Sequence, residues 1–265
     1  MQHVSIIDNM KIVANYHTHT YRCGHAFGNE EEYIQCAIEG GIKILGFSDH
    51  VMLPHHQQRG VRGDYSELEG YISSLRNLKE KYKDKIKILI GLECEYFPQY
   101  VEYYKSLLND YHLDYLIQGQ HCYINNEERF AWYDADIHSL VDDIINGMKL
   151  GIFKYLAHPD MWVERFNKWN EDLEKEAHRI CEAAVKYNVP LEINLGHFIP
   201  DGHISNHLEY PYEPFWEIAS HYPIKVFIGR DAHDPRALLE ENQNFFHALY
   251  IVNKYHLTLL NEVEE

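Results

Sequence analysis

Six short apolar runs along this chain, of the kind that make β-strands, end in histidine or a carboxylate. The first leads into Asn15-Tyr16-His17-Thr18-His19, with His25 close behind in Cys23-Gly24-His25. The next three end in Ser48-Asp49-His50, Gly91-Leu92-Glu93-Cys94-Glu95 and Gly119-Gln120-His121. The last two end in Ala157-His158-Pro159-Asp160 and Gly229-Arg230-Asp231-Ala232-His233. Only a fold that gathers strand ends on one face would make such a pattern useful, so the pattern constrains the architecture.

The apolar runs alternate with longer amphipathic stretches, and we read seven strand-plus-helix units. The spacing predicts strands over Lys11–Tyr16, Ile42–Ser48, Ile86–Glu93, Leu113–Gly119, Phe153–Ala157, Pro190–Asn194 and Lys225–Gly229. Helices are expected over Glu30–Glu39, Ser66–Tyr82, Gln99–Asn109, Ile137–Leu150, Trp169–Tyr187, Tyr212–Ser220 and Pro235–Tyr250, the last capped by Asp234. Serial βα units imply parallel strands with right-handed crossovers, hence an open doubly wound sheet or a closed barrel. A dinucleotide-binding sheet would place a glycine-rich turn after its first strand, where this chain has His17-Thr18-His19. No Pro-, Gly- or Ser-rich linker divides the 265 residues. The expectation is a single-domain α/β chain folded as a TIM-like barrel, whose C-terminal strand ends share the face where barrel active sites are built.

Alternate residues of a strand point the same way, so His17 and His19 are expected on one side, as are Asp231 and His233 if the last strand reaches that far. Imidazoles with a few carboxylates suit Zn, Mn or Fe. The nine candidates His17, His19, His25, His50, Glu93, His121, His158, Asp231 and His233 are too many for one tetrahedral ion. Two or three ions sharing a carboxylate would use them, and a hydroxide held between ions is a strong nucleophile at neutral pH. Each element has a bland alternative: a chance H-x-H, a helix cap at Ser48-Asp49-His50, a turn at His158-Pro159. All would have to fall at strand ends together. His3, His112, His138, His178, His221, His247 and His256 show no such placement and are read as ordinary surface or core residues, as Cys23 and Cys94 are read as outside the ligand set. Glu95 falls on the same face as Glu93 and is expected to stand behind the ligands.

Composition narrows the partners. Lys plus Arg number 24 against 41 Asp plus Glu, a formal net charge of −17, which disfavours a long nucleic acid because binding polyanions relies on cationic side chains. Five cysteines without a C-x-x-C pair suit a reducing compartment, and no run of apolar residues suggests a leader or a membrane anchor, so a cytoplasmic protein is expected. Oligomeric state is not legible.

The motifs from His17-x-His19 to Asp231-Ala232-His233, in this order and spanning roughly residues 15 to 235, resemble those of the PHP (polymerase and histidinol phosphatase) superfamily, its histidinol-phosphatase branch above all. The resemblance implies a distorted (β/α)7 barrel carrying two or three divalent ions of Zn, Mn or Fe. One would be held by His17, His19, Glu93 and Asp231, a second by Glu93, His121 and His158, and a third by His25, His50 and His233. It also implies hydrolysis of a small phosphate ester, typically L-histidinol phosphate, in histidine biosynthesis. Three divalent ions against the carboxylates of Glu93 and Asp231 leave a local positive charge that can hold a phosphate dianion inside an acidic protein. Asp231 or His233 is the candidate proton donor to the departing alkoxide. Arg165 falls where the branch tends to carry a phosphate-binding arginine. After Glu192-Ile193-Asn194 the branch tends to carry another, whereas this chain reads Leu195-Gly196-His197; Arg230, before Asp231, is the candidate to compensate, and His197 is a further substrate-binding candidate in an unusual loop. The same metals would also serve a phosphoesterase acting on nucleotides, and a metal-binding module without turnover is the reading from a different class.

Overall fold

The computed structural model of the chain describes residues 11–133, 136–196, 208–239 and 243–262. Four parallel strands lie side by side in chain order: β1 (Ala14–Asn15), β2 (Ile44–Phe47), β3 (Lys87–Cys94) and β4 (Tyr115–Gln118). An antiparallel hairpin, β5 (Cys122–Ile124) with β6 (Phe130–Trp132), follows. A second sheet holds β7 (Leu191–Asn194), β8 (Lys225–Gly229) and β9 (Thr258–Leu259) in parallel. Single-residue bridges join the two sheets into a ring. Leu156 pairs with Gln118 on one side and Leu191 on the other, and Thr18 pairs with Ala232. The result is the expected distorted (β/α)7 TIM-like barrel.

Helix ends follow local chemistry. Helix α1 (Glu30–Glu39) starts at Asn29, whose side chain accepts from the Glu31 and Glu32 amides while Glu32 reaches back, and three acids occupy its first turn. Helices α2 (Leu68–Tyr82) and α3 (Val101–Asn109) each follow a short 3-10 turn. Helix α4 (Ile137–Leu150) is capped by Asp136 and stops at Gly151, which takes φ 67°. Helix α5 (Glu171–Tyr187) is capped by Asn170 and buries Leu173, Ala177, Ile180, Cys181 and Ala184 along one stripe. Helices α6 (Glu213–Ala219) and α7 (Gln243–Lys254) complete the described set, in which no helix is long and apolar enough to cross a membrane.

Alternation along the strands sorts the side chains into layers. Leu45, Phe47, Ile88, Ile90 and Leu92 pack outward in a cluster with α1, α2 and α3, while Leu191, Ile193, Val226 and Ile228 pack with α4, α5 and α7. Ala14, Tyr16, Ile44, Tyr115, Ile117, Tyr155, Ala157 and Phe227 fill the barrel interior. The Tyr115 hydroxyl donates to the Tyr16 carbonyl at 2.6 Å, with the Phe47 carbonyl at 3.0 Å.

Three expectations need correction. The strand predicted over Phe153–Ala157 contributes only Leu156 as a bridge, because His158, with φ 31°, and Pro159 turn the chain away directly after it. The strand predicted over Lys11–Tyr16 is reduced to Ala14–Asn15. The helix predicted over Pro235–Tyr250 is a 3-10 turn, Pro235–Leu238, and a separate α7. Leu238 is buried in the core cluster of α1 to α3, and Phe245, Leu249 and Val252 in that of α4 to α7, so one straight helix could not serve both. The hairpin β5–β6 and the strand β9 were not expected.

Candidate metal centre

At the C-terminal face the side chains predicted from the strand ends converge. His17 and His19 follow β1, and their Nε2 atoms stand 3.1 Å apart. Asp231, after β8, places Oδ1 at 3.3 Å from His17 Nε2 and 3.2 Å from His19 Nε2. Glu93, in β3, lies in the middle. Its Oε2 is 3.6 Å from His17 Nε2, 3.5 Å from His19 Nε2 and 3.0 Å from His50 Nδ1. Its Oε1 is 2.9 Å from His158 Nε2 and 3.5 Å from His121 Nε2. His25 and His233 meet through their Nε2 atoms at 3.0 Å, and the His233 ring stacks on that of His19 at 4.2 Å.

The donor set fits divalent ions. Ligand atoms about 2.1 Å from one tetrahedral ion lie about 3.4 Å from one another, which is the spacing found around Glu93 and Asp231. Beyond these imidazole contacts, Glu93 Oε2 and Asp231 Oδ1 are buried and make no hydrogen bond, an arrangement that a bound ion would compensate. Among the described residues, His17, His19 and Asp231 form one group able to hold an ion, His17, Glu93 and His158 a second, and His19, His50 and His233 a third. Burial pushes the Glu93 and Asp231 carboxyls up, yet the surrounding histidines, His121 foremost for Glu93 and His17 for Asp231, hold both well below the usual range. Burial and the neighbours His233 and His50 hold His19 well below the usual imidazole range, which favours its neutral form.

Space for the carboxylates comes from glycine. A Cβ on Gly119 would stand 1.9 Å from Glu93 Oε1, and one on Gly229 would stand 1.9 Å from an oxygen of Glu192. Glu192 is fully buried in β7 and is a site residue that sequence reasoning missed. Its carboxylate accepts from His17 Nδ1 at 3.0 Å, the Asn194 amide at 2.8 Å and the His158 backbone at 3.1 Å. Held so, His17 presents Nε2 to the cluster. A charged residue at an inward position of an otherwise apolar run was the available signal. Glu95 plays the matching part for His121, as its place behind Glu93 suggested, with Oε1 at 3.3 Å from His121 Nδ1.

The cluster floors a cavity of about 290 Å³ whose walls include Gly60, Val61, Trp132, Met161 and Tyr210. A neighbouring cavity of about 280 Å³ shares Asp231 and His233 and is lined also by Phe27, Leu195 and Arg230. Arg230 is buried and donates from Nη1 to the Ala237 carbonyl at 2.8 Å. Arg165 donates to the His121 carbonyl at 3.0 Å, packs over Tyr133, and is not among the described residues lining the larger cavity. His197 lies outside the described residues. Cys23 Sγ sits 3.9 Å from His25 Nε2, with burial foremost pushing its thiol up to about 12. His138 and His178 pair with Glu176 and Tyr222, away from the cluster.

The PHP domain family matches residues 15–196, more than half of the chain. The chain belongs to the PHP family. A probable histidinol-phosphatase of Deinococcus radiodurans is 26% identical over 229 residues, 83% of this chain and 85% of that protein. A probable phosphatase of Tolumonas auensis is 29% identical over 192 residues, 72% of this chain and 67% of its own length. Among solved structures, a histidinol phosphate phosphatase from Lactococcus lactis, complexed with zinc, L-histidinol and phosphate, superposes with a TM-score of 0.71 at 15% identity, over 96% of this chain and 99% of that one. At that identity the likeness speaks for the PHP barrel alone.

Proposed function

We propose that this PHP chain is a metal-dependent phosphoric monoester hydrolase and that its substrate is L-histidinol phosphate, cleaved to L-histidinol and phosphate. The observation that carries the reading is the convergence of His17, His19, His50, Glu93, His121, His158 and Asp231 around buried, unpartnered carboxylate oxygens at the floor of a cavity. The names of the relatives supply the substrate.

Divalent ions, two or three of Zn, Mn or Fe, supply when bound an activated water and positive charge for the phosphoryl oxygens. The protein does the rest. His17, His19, Glu93 and Asp231 would hold one ion, Glu93, His121 and His158 a second, and His25, His50 and His233 a third. Glu192 and Glu95 fix the tautomers of His17 and His121 by accepting from Nδ1. Of the two candidate proton donors, Asp231 and His233, which face both cavities, proton delivery to the leaving oxygen falls better to His233, because the surrounding histidines hold the Asp231 carboxyl ionised. His233 Nδ1 lies 3.0 Å from the Asp231 carbonyl, leaving Nε2 directed inward. Arg165 is proposed to approach the phosphate, Arg230 to stand in for the branch's second arginine, and His197 to contact the substrate. The place of action is proposed as the cytoplasm.

The test is phosphate release from L-histidinol phosphate, p-nitrophenyl phosphate and mononucleotides by protein reconstituted separately with Zn, Mn and Fe, beside a His17→Ala control. Preference for L-histidinol phosphate, abolished in the control, is expected. Turnover of mononucleotides instead would redirect the substrate, and full metal content with no turnover would overturn the enzyme reading.

A further inference from the structure

Beside the cluster, on the side away from β1, one guanidinium is buried without direct contact to any candidate ligand. Arg62, in the loop between β2 and α2, is 3% exposed. It grips Glu95 as a fork, Nη2 to Oε1 at 2.8 Å and Nη1 to Oε2 at 3.1 Å. The same side chain donates to the Val51 carbonyl at 3.1 Å and to Gln58 Oε1 at 2.9 Å, and its face lies 4.9 Å from the Phe130 ring of the hairpin. Glu95 Oε1 in turn meets His121 Nδ1, whose opposite nitrogen faces Glu93.

We propose that Arg62 is a positioning residue, which through Glu95 fixes the tautomer and orientation of His121 and so sets how tightly that flank of the cluster retains a divalent ion. The chain of causes is short. A buried carboxylate stays ionised and still only if its charge is matched, and Arg62 supplies the match in bidentate form. An ionised Glu95 accepts the Nδ1 proton of His121 and leaves Nε2 as a lone-pair donor toward Glu93. A lysine could match the charge but not the fork. Arg62 also ties the loop that lends Gly60 and Val61 to the cavity wall to the hairpin that lends Trp132, so three elements around the cavity share one anchor.

The inference rests on His121 being a ligand, and the experiment separates the two. Metal content and chelator-competition affinity are measured on the full chain for wild type, Arg62→Met, Arg62→Lys, Glu95→Gln, the double variant and His121→Ala, with thermal melts of the metal-free proteins alongside. Expected are about 10- to 100-fold weaker retention of one metal equivalent in Arg62→Met, no rescue by Arg62→Lys, and no further loss when Arg62→Met is added to Glu95→Gln. Wild-type metal affinity in Arg62→Met or Glu95→Gln would overturn the proposal, whatever happens to the melts. Should Arg62→Met not fold, Arg62→Lys, which keeps the charge and loses the fork, carries the decision: wild-type metal affinity in it would overturn the proposal. Unchanged affinity in His121→Ala would instead overturn the ligand assignment.

Discussion

The two ends of the barrel interior are built from the same strands and behave oppositely. At the lower end Tyr16, Tyr115, Tyr155 and Phe227 close the interior with edge-to-face contacts, the Tyr155 and Phe227 centroids 4.3 Å apart. At the upper end β3 turns Glu93 inward, β7 turns Glu192 inward, and the residues after β1, β4 and β8 bring His17, His121 and Asp231 over them. The lower end stabilises chiefly by burying apolar surface, and the one hydroxyl of this layer left without a hydrogen bond among the described residues, that of Tyr155, carries no charge. The upper end gathers imidazoles around carboxylates of which two buried oxygens, Glu93 Oε2 and Asp231 Oδ1, make no hydrogen bond in the protein, so an ion bound there would stabilise it. Stability and chemistry are thus assigned to separate layers of one barrel.

The comparison is broken most easily at the lower end. Phe227→Ala should cost about 3–5 kcal/mol by urea unfolding, equally with and without metal; a cost that depended on metal would show that the layers are not separate. Chelation is the next largest perturbation. Removing ions from a site loaded at about 100 times its dissociation constant should cost about 2.7 kcal/mol, read as a lower Tm by calorimetry, and should add to the Phe227→Ala loss. Tyr115→Phe removes the hydroxyl that reaches Tyr16 and Phe47 and should cost about 1 kcal/mol without changing metal content. The smallest effect is expected from His19→Gln in the metal-free protein, below about 1 kcal/mol in a denaturant titration, although the same variant should erase most of the stabilisation that metal confers. A large loss in the metal-free state would mean that the upper layer holds the barrel together unaided.

What could be read from the sequence divides along a physical line. Ligand candidates were legible because histidines and acids ended apolar runs, and a parallel barrel brings all such ends to one face. His17 and His19 converge although β1 ends at Asn15, because the Thr18–Ala232 bridge continues the ring past the assigned strand. Features that rest on distant pairing were not legible. Phe153–Ala157 has the composition of a strand, yet Pro159 and the turned His158 leave it one bridging residue. The hairpin pairs two three-residue strands, Cys122–Ile124 and Phe130–Trp132, apolar throughout and too short to announce an alternation. Arg62 lies in a loop with no periodicity, and only the fold shows that its partner is thirty-three residues away in Glu95.

The seam of the barrel bears on the order in which the chain folds as it is synthesised. β1 meets the other end of the chain twice, through Thr18 and Ala232 near the cluster, and through β9, which pairs with the lower end of β8 while residues 11–14 line a small cavity against it. A ribosome delivering this chain would expose the edges of β1 and β8 until residues 232 and then 259 emerged. Because contacts of such long sequence separation close late, the unfinished barrel would spend most of its synthesis as an open sheet edge, the state in which chaperones and aggregation compete for it. Asp231 and His233 precede β9, so the cluster can assemble before the lower seam is sealed, and an ion captured at that moment would act as a clasp on the last step of folding.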